Sequence, residues 1–298
     1  MTRTAIIGST SFLASYIITD LEKENHALTL FSREKTNDSH LFAPFAYPNF
    51  VPDYAVFLDY DVIIFAAAGG VQSTKKYSSD EIYALNAFLP IALSNFLDEN
   101  NFKGKLISFG SYFEIGGQHE LKPFTETEVT LSNFEVPNHY CLSKRLLTRF
   151  VNDSKSKMNH YHIILPSIYG KNENENRLIP YLISSLENQK NLELTAGTQI
   201  RQFLHAKDVA QFVLILCNQS IEKGVYNLAS DHYNWVKDVV EIVFNHFGKD
   251  FSAVLGKIQR QDESMQVLLL DSSKARNSGW QPKIDLKEGI LDYFKNKN

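Results

Sequence analysis

Cysteine, methionine and tryptophan are scarce in this chain, with 2, 3 and 2 copies in 298 residues. Cys141 and Cys217 both fall in stretches patterned as helices, so no disulfide framework is expected and a reduced, cytoplasmic protein is the default expectation. Blocks of like charge are missing too: the net charge is −4 and no five neighbouring residues share a sign. That argues against nucleic acid or an anionic membrane surface as the main partner. The longest apolar runs, "DVIIFAAA" and "FVLILC", fall short of the roughly 20 residues that span a bilayer, and "TAIIGST" reads as a strand at once, leaving no room for a signal segment. The 9 histidines are scattered. Only His160 and His162 lie close, no cysteine or carboxylate joins them, and they are expected at a solvated strand end rather than on a metal.

What is present is an alternation. Continuous apolar runs at Ala5–Gly8, Leu28–Ser32, Val62–Ala66, Lys105–Ser108 and His162–Pro166 alternate with helical patterns at Phe12–Lys23, Ile82–Glu99 and Asn138–Asn152. Strands that are apolar on both faces are buried on both faces, which implies a parallel sheet covered by helices, an α/β doubly wound (Rossmann) architecture. Beyond Pro166 the pattern changes. "ELTAGTQIRQFLHAKDVAQFVLIL" reads as strand, turn, strand and helix, "GVYNLAS" as another buried strand, and "SGWQPK" as a break before a last helix.

The first strand runs into "GSTSFLAS" and a helix, the context of a dinucleotide-phosphate turn. Three glycines at three-residue spacing are expected there. Gly8, Ser11 and Ala14 stand in those places, with Thr10, Phe12 and Leu13 completing the turn. A plain buried strand-helix turn remains the alternative at this point. The second strand ends in Ser32–Arg33 instead of the acid that binds a ribose hydroxyl. A guanidinium suits a 2′-phosphate, so NADP (NADPH) is expected over NAD.

Three Tyr-x-x-x-Lys pairs occur, Tyr140/Lys144, Tyr233/Lys237 and Tyr293/Lys297, where composition alone gives about one. Only Tyr140/Lys144 follows a strand ending in a serine, Ser111. One helical turn places Lys144 on the same face as Tyr140, and its ammonium is expected to favour the phenolate.

Together these pieces resemble the extended short-chain dehydrogenases/reductases, the NAD-dependent epimerase/dehydratase family. The resemblance runs through "AIIGSTSFLASYI", "DVIIFAAAGG", "LISFGSYFEIGG", "VPNHYCLSK", "LPSIYG", "NRLIPYLI", "IRQFLHAKDVA", "GVYNLAS" and "DSSKARNSGWQPK", in the family's order. It implies that residues 1–166 with about 203–230 form the dinucleotide-binding domain, and 167–202 with 231–298 an interleaved nucleotide-sugar lobe. Tyr140 would then be the proton donor or acceptor and Ser111 would orient the substrate. Lys144 would tune Tyr140 and hold the nicotinamide ribose. Ala66, Ala67, Ala68, Pro166 and Ile168 would line the cofactor. Gln72, Ser73, Ser167, Asn176, Arg177, Arg201 and Arg260 would face the nucleotide sugar, the last two on its diphosphate. A homodimer through Ile82–Glu99 and the Tyr140 helix is implied as well.

Within the family, dehydratases carry an Asp-Glu pair after the catalytic hydroxyl, where this chain has Tyr112 and Phe113, so dehydration is disfavoured. The resemblance is greatest to reductases of nucleotide-linked 4-keto-6-deoxyhexoses, which make deoxysugar donors for bacterial surface polysaccharides such as O antigen. A 4-epimerase with tightly bound NAD, and a non-catalytic NADP-binding sensor or scaffold, stay open. Neither the nucleotide nor the C4 stereochemistry is written in the chain.

Overall fold

A computed structural model describes residues 1–35, 39–70, 76–259 and 265–295. Its centre is a seven-stranded sheet in which every pair is parallel. In chain order the strands are β1 (Arg3–Ile7), β2 (Ala27–Ser32), β3 (Leu41–Pro44), β4 (Val62–Phe65), β5 (Lys105–Ser111), β6 (Asn159–Leu165) and β10 (Gly224–Asn227). Across the sheet the order is β10-β6-β5-β4-β1-β2-β3. The reversal between β1 and β4 opens a crevice at their carboxyl ends, where doubly wound sheets bind ligands.

The strands are apolar throughout because both faces are covered. Ile6, Ile64, Ile107 and Ile163 point into one layer beneath α1 (Phe12–Lys23) and α7 (Ala206–Asn218). Their neighbours Ile7, Ile63 and Leu106 point into the opposite layer with Leu93 and Leu97 of α3 (Leu89–Glu99). Ile164 faces Leu147 and Val151 of α5 (His139–Asp153). The two-residue period of a strand divides the core this way.

The helix expected over Ile82–Glu99 is interrupted. It forms as α2 (Ser79–Tyr83), a π-helical turn at Ala84–Phe88, and α3. Pro90 at the start of α3 has no N–H to give to the preceding turn, which accounts for the widened winding. The strand expected at "ELT" does not form. Leu192 and Leu194 are buried in the small lobe, and Leu194 pairs its backbone with Val254 and Lys257 of an irregular segment instead of a ladder.

The remaining short strands are β7 (Ser167–Tyr169), β8 (Ile200–Arg201), β9 (Phe203–His205), β11 (Asn234–Trp235) and β12 (Val267–Leu268). β7 pairs with β9, and β11-β8-β12 form a separate sheet. The small lobe closes around Ile179, Leu182, Val239, Val243 and Ile290, from α6 (Leu178–Glu187), α8 (Val236–His246) and α10 (Leu286–Leu291). Two charged side chains fasten the sheet domain. Lys105 Nζ donates to Leu216 O, Cys217 O and Gln219 O at 2.6, 3.0 and 2.8 Å, capping the carboxyl end of α7. Buried Asp208 accepts from the N–H groups of Lys283 and Ile284, both at 3.1 Å, holding the segment that leads into α10.

Candidate active site

Ser111 ends β5 and its hydroxyl caps the turn that follows, accepting from Phe113 N at 3.4 Å. Asn138 caps α5 by accepting from Cys141 N at 3.1 Å, which fixes where the helix begins and therefore where Tyr140 and Lys144 point. The structure brings the three predicted residues together. The Ser111 hydroxyl faces the Tyr140 phenol, and Lys144 Nζ lies 5.9 Å from the Tyr140 ring centroid while donating to Phe109 O at 2.8 Å.

The electrostatics differ from the expectation. Tyr140 is half-buried as a residue, yet burial of its hydroxyl pushes it up to about 12, and the Ser111 hydroxyl only partly offsets that. Lys144 is 6% exposed, and desolvation brings its ammonium down to about 8. The protein's own groups thus keep Tyr140 a neutral phenol, the form that donates a proton. Burial, not the ammonium expected to favour the phenolate, governs this hydroxyl.

His160 and His162 are not at a solvated strand end. They are 6% and 0% exposed, because α5 covers β6. Hydroxyls satisfy them: Ser94 Oγ to His160 Nδ1 at 3.2 Å, Ser108 Oγ to His160 Nε2 and His162 Nδ1 at 2.8 Å each, and Thr148 Oγ1 to His162 Nε2 at 3.0 Å. Burial brings His160 down to about 3 and His162 well below its usual value, so both are neutral imidazoles.

The first turn fits a dinucleotide. Gly8 has φ +81°, and a Cβ there would stand 2.4 Å from Ala67 N, so the turn approaches the end of β4 as only glycine allows. Ser11, in the second glycine's place, folds its hydroxyl back to accept from Ala14 N at 3.3 Å as the cap of α1, and Ala14 is fully buried. Phe12 and Leu13 begin the helix, where first-turn amides have no intrahelical acceptor. Ser9 Oγ is buried without a hydrogen-bond partner. Thr10 is exposed beside it. At the end of β2, Ser32 is buried and donates to Glu34 O at 2.6 Å, while Arg33 is exposed. Ala66, Ala67 and Ala68 line a crevice that also contains Ser108 and Lys144. Pro166 is buried, and Ile168 accepts from Arg177.

The predicted substrate residues are less uniform. Ser167 Oγ is paired with Tyr112 OH at 2.6 Å. Asn176 is exposed. Arg177 forms an ion pair with buried Glu173 at 2.8 Å and donates to Ile168 O at 2.6 Å. Arg201 is 4% exposed, its guanidinium donating to Ile200 O, Gln266 O and Met265 O. Gln72, Ser73 and Arg260 lie outside the described residues. Of the other Tyr-x-x-x-Lys pairs, Tyr233 is exposed and Lys237 lies over Trp235, whereas Tyr293 is bonded to Glu173 and Gly170 N.

Asn86 has no place in the sequence reading, and Glu114 stands there one position too late to serve as the dehydratase acid. Asn86, in the π turn, accepts from Gly69 N and donates to Gly69 O, both at 2.9 Å, and donates to Ser143 Oγ at 3.0 Å. It therefore joins the loop after β4 to the Tyr140 helix. A buried polar residue inside an apolar helical pattern was the available signal. Glu114 is 0% exposed, and its Oε1 accepts from Ser111 N at 3.0 Å.

A doubly wound sheet with a glycine turn at its switch point and a converging Ser-Tyr-Lys set defines a nicotinamide-dependent enzyme of the short-chain dehydrogenase/reductase type. The chain belongs to the NAD dependent epimerase/dehydratase family, whose profile matches residues 4–229. Among curated relatives it is 25% identical to a CDP-abequose synthase of Salmonella typhimurium over 63% of this chain and 60% of that one. It is 21% identical to the CDP-abequose synthase of Salmonella muenchen over 95% and 94%. Its fold matches a dTDP-glucose 4,6-dehydratase from Bacillus anthracis in complex with NAD, with a TM-score of 0.82, 17% identity and coverage of 100% and 98%. The chain thus spans about 60% of the length of the first of these relatives.

Proposed function

We propose that the protein is an NADPH-dependent reductase of a nucleotide-linked 4-keto-6-deoxyhexose, making a deoxysugar donor for surface polysaccharide. The observation that carries this reading is what occupies the two positions after Ser111. Tyr112 is fully buried with its hydroxyl spent on Ser167, and Phe113 packs edge-on against it at 5.1 Å. Neither can serve as the second acid and base that elimination of water requires. That leaves Tyr140, whose hydroxyl faces Ser111, as the proton donor, which suffices for carbonyl reduction.

A bound nicotinamide dinucleotide supplies the hydride. The turn Gly8–Leu13 and the amino end of α1 would hold its pyrophosphate, Arg33 a 2′-phosphate, and Lys144 the nicotinamide ribose. Ser111 orients the sugar carbonyl, and Tyr140 gives its proton to the oxygen as the carbon is reduced. The neutral phenol and the partly desolvated ammonium suit that direction of transfer. Exposed Phe88, Leu142 and Leu146 on the π turn and α5 support a homodimer through these helices.

The test is NADPH consumption against CDP-, dTDP-, GDP- and UDP-linked 4-keto-6-deoxyhexoses, with product configuration read by NMR. The CDP-abequose synthases among the relatives put CDP-sugars first. Oxidation of NADPH with a 4-hydroxy product is expected. Protein that carries tight NAD and interconverts hexoses without net oxidation would make it an epimerase.

A further inference from the structure

Glu114 is the most deeply buried acid among the described residues, three positions after the serine that would orient the substrate. Oε1 is held by the Ser111 amide, and Oε2 is buried with no hydrogen-bond partner among the described residues, the Thr148 hydroxyl being the side-chain donor that faces the carboxyl. Arg145 is nearby, but its guanidinium donates to Glu114 O, Ile115 O and Phe134 O, not to the carboxyl. The Thr148 hydroxyl is engaged by Lys144 O and His162 Nε2. The carboxyl is packed so tightly against β5 that the strand needs a glycine there: a Cβ on Gly110 would lie 2.5 Å from Ile164 Cδ1, 2.7 Å from His162 Nε2 and 2.8 Å from Glu114 Oε1.

Lys144 is the complementary case. Its buried ammonium has a single hydrogen-bond acceptor among the described residues, Phe109 O, two residues before Ser111. A half-satisfied carboxyl and a half-satisfied ammonium therefore flank the same end of β5, without a direct ion pair among the described residues. The groups facing Glu114 are Lys144, Arg145 and Thr148 from α5, Tyr140 at its start, and His162 from β6. The histidines are neutral and Arg145 is spent on carbonyls, so Glu114 and Lys144 are the two that exchange protons near neutrality.

We infer that Glu114 is a positioning residue for proton transfer, acting through Lys144: its carboxylate keeps a proton on the buried amine that stands beside Tyr140. This rests on reading Lys144 as the partner of Tyr140. Burial raises Glu114 to about 7 and lowers Lys144 to about 8, and each charged form favours the other. Near neutral pH the pair holds two protons or one; with two the ammonium stands beside a neutral carboxyl, and with one it persists because the carboxylate favours it.

The experiment is a pH titration by NMR of protein labelled with ¹³C at lysine Cε, with the Lys144 signal assigned by Lys144→Met. Wild type is expected to show two inflections, the lower reporting Glu114 and the upper Lys144 itself. In Glu114→Gln, which keeps an acceptor for the Ser111 amide, one inflection remains, displaced downward by about one unit. In turnover, the alkaline limb of kcat/KM moves with it, a loss of about fivefold at pH 8. An equal loss at every pH would mark a structural role and overturn the inference. So would a single wild-type inflection unchanged in the variant. If Glu114→Gln does not fold, the wild-type curve alone decides. If the protein reduces no nucleotide-linked ketone, the proposed function falls, while the titration still tests the pair.

Discussion

Asn86 Nδ2 donates to Ser143 Oγ at 3.0 Å, and Ser143 Oγ donates in turn to Tyr140 O at 2.8 Å. With the same side chain bracketing Gly69, one amide sets the spacing between the loop after β4 and the helix that carries the phenol. Asn86→Ala removes three buried hydrogen bonds and should destabilise the protein by about 2–3 kcal/mol, read from the urea midpoint. NADPH affinity should fall with it, because the loop loses its anchor.

Tyr140→Phe deletes one hydroxyl and leaves the ring. Turnover should fall by roughly 10²- to 10⁴-fold, while NADPH binding, measured by fluorescence titration, stays within a factor of a few. A variant with unchanged turnover would remove Tyr140 from the chemistry.

The proposed reduction uses Tyr140 as phenol and Lys144 as ammonium. Tyr140, pushed up to about 12, stays protonated across the working range. Lys144, brought down to about 8 by desolvation, is charged below that value and neutral above it. The kcat/KM profile of wild type should therefore fall on the alkaline side with an inflection near 8. A profile flat to pH 10 would contradict this assignment.

Arg33 is exposed at the carboxyl end of β2. Arg33→Ala should weaken NADPH by roughly 1.5–3 kcal/mol, about 10- to 150-fold, and leave NADH nearly unchanged. Equal weakening of both cofactors would show that the guanidinium reads no 2′-phosphate.

Asp208→Ala removes the buried acceptor of two N–H groups and frees the segment before α10. A loss of about 3 kcal/mol in urea unfolding is expected, with Trp280 emission reporting the lobe.

The doubly wound sheet was legible because a strand buried on both faces must be apolar at every position, and Ile6, Ile7, Ile63, Ile64, Leu106 and Ile107 are. The Ser111–Tyr140–Lys144 convergence was legible from order, a strand ending in serine before a helix carrying the other two. What misled the reading were residues whose partners lie far along the chain. His160 and His162 look like a polar strand end until Ser94, Ser108 and Thr148 close around them. The pull of Lys144 on Tyr140 was judged from spacing, which carries no information about desolvation. Glu114 and Asn86 read as ordinary polar residues because their acceptors and donors are mostly backbone, which no side-chain pattern records.

Lys105 opens the strand that Ser111 closes, and its ammonium grips the last carbonyls of α7. Slippage of that strand by one residue would turn Ser111 to the opposite face of the sheet. A cation anchored on a neighbouring helix, six residues from the proposed reacting centre, thus acts as a gauge stop: it helps to hold the alignment of the Ser111 hydroxyl from the opposite end of the strand.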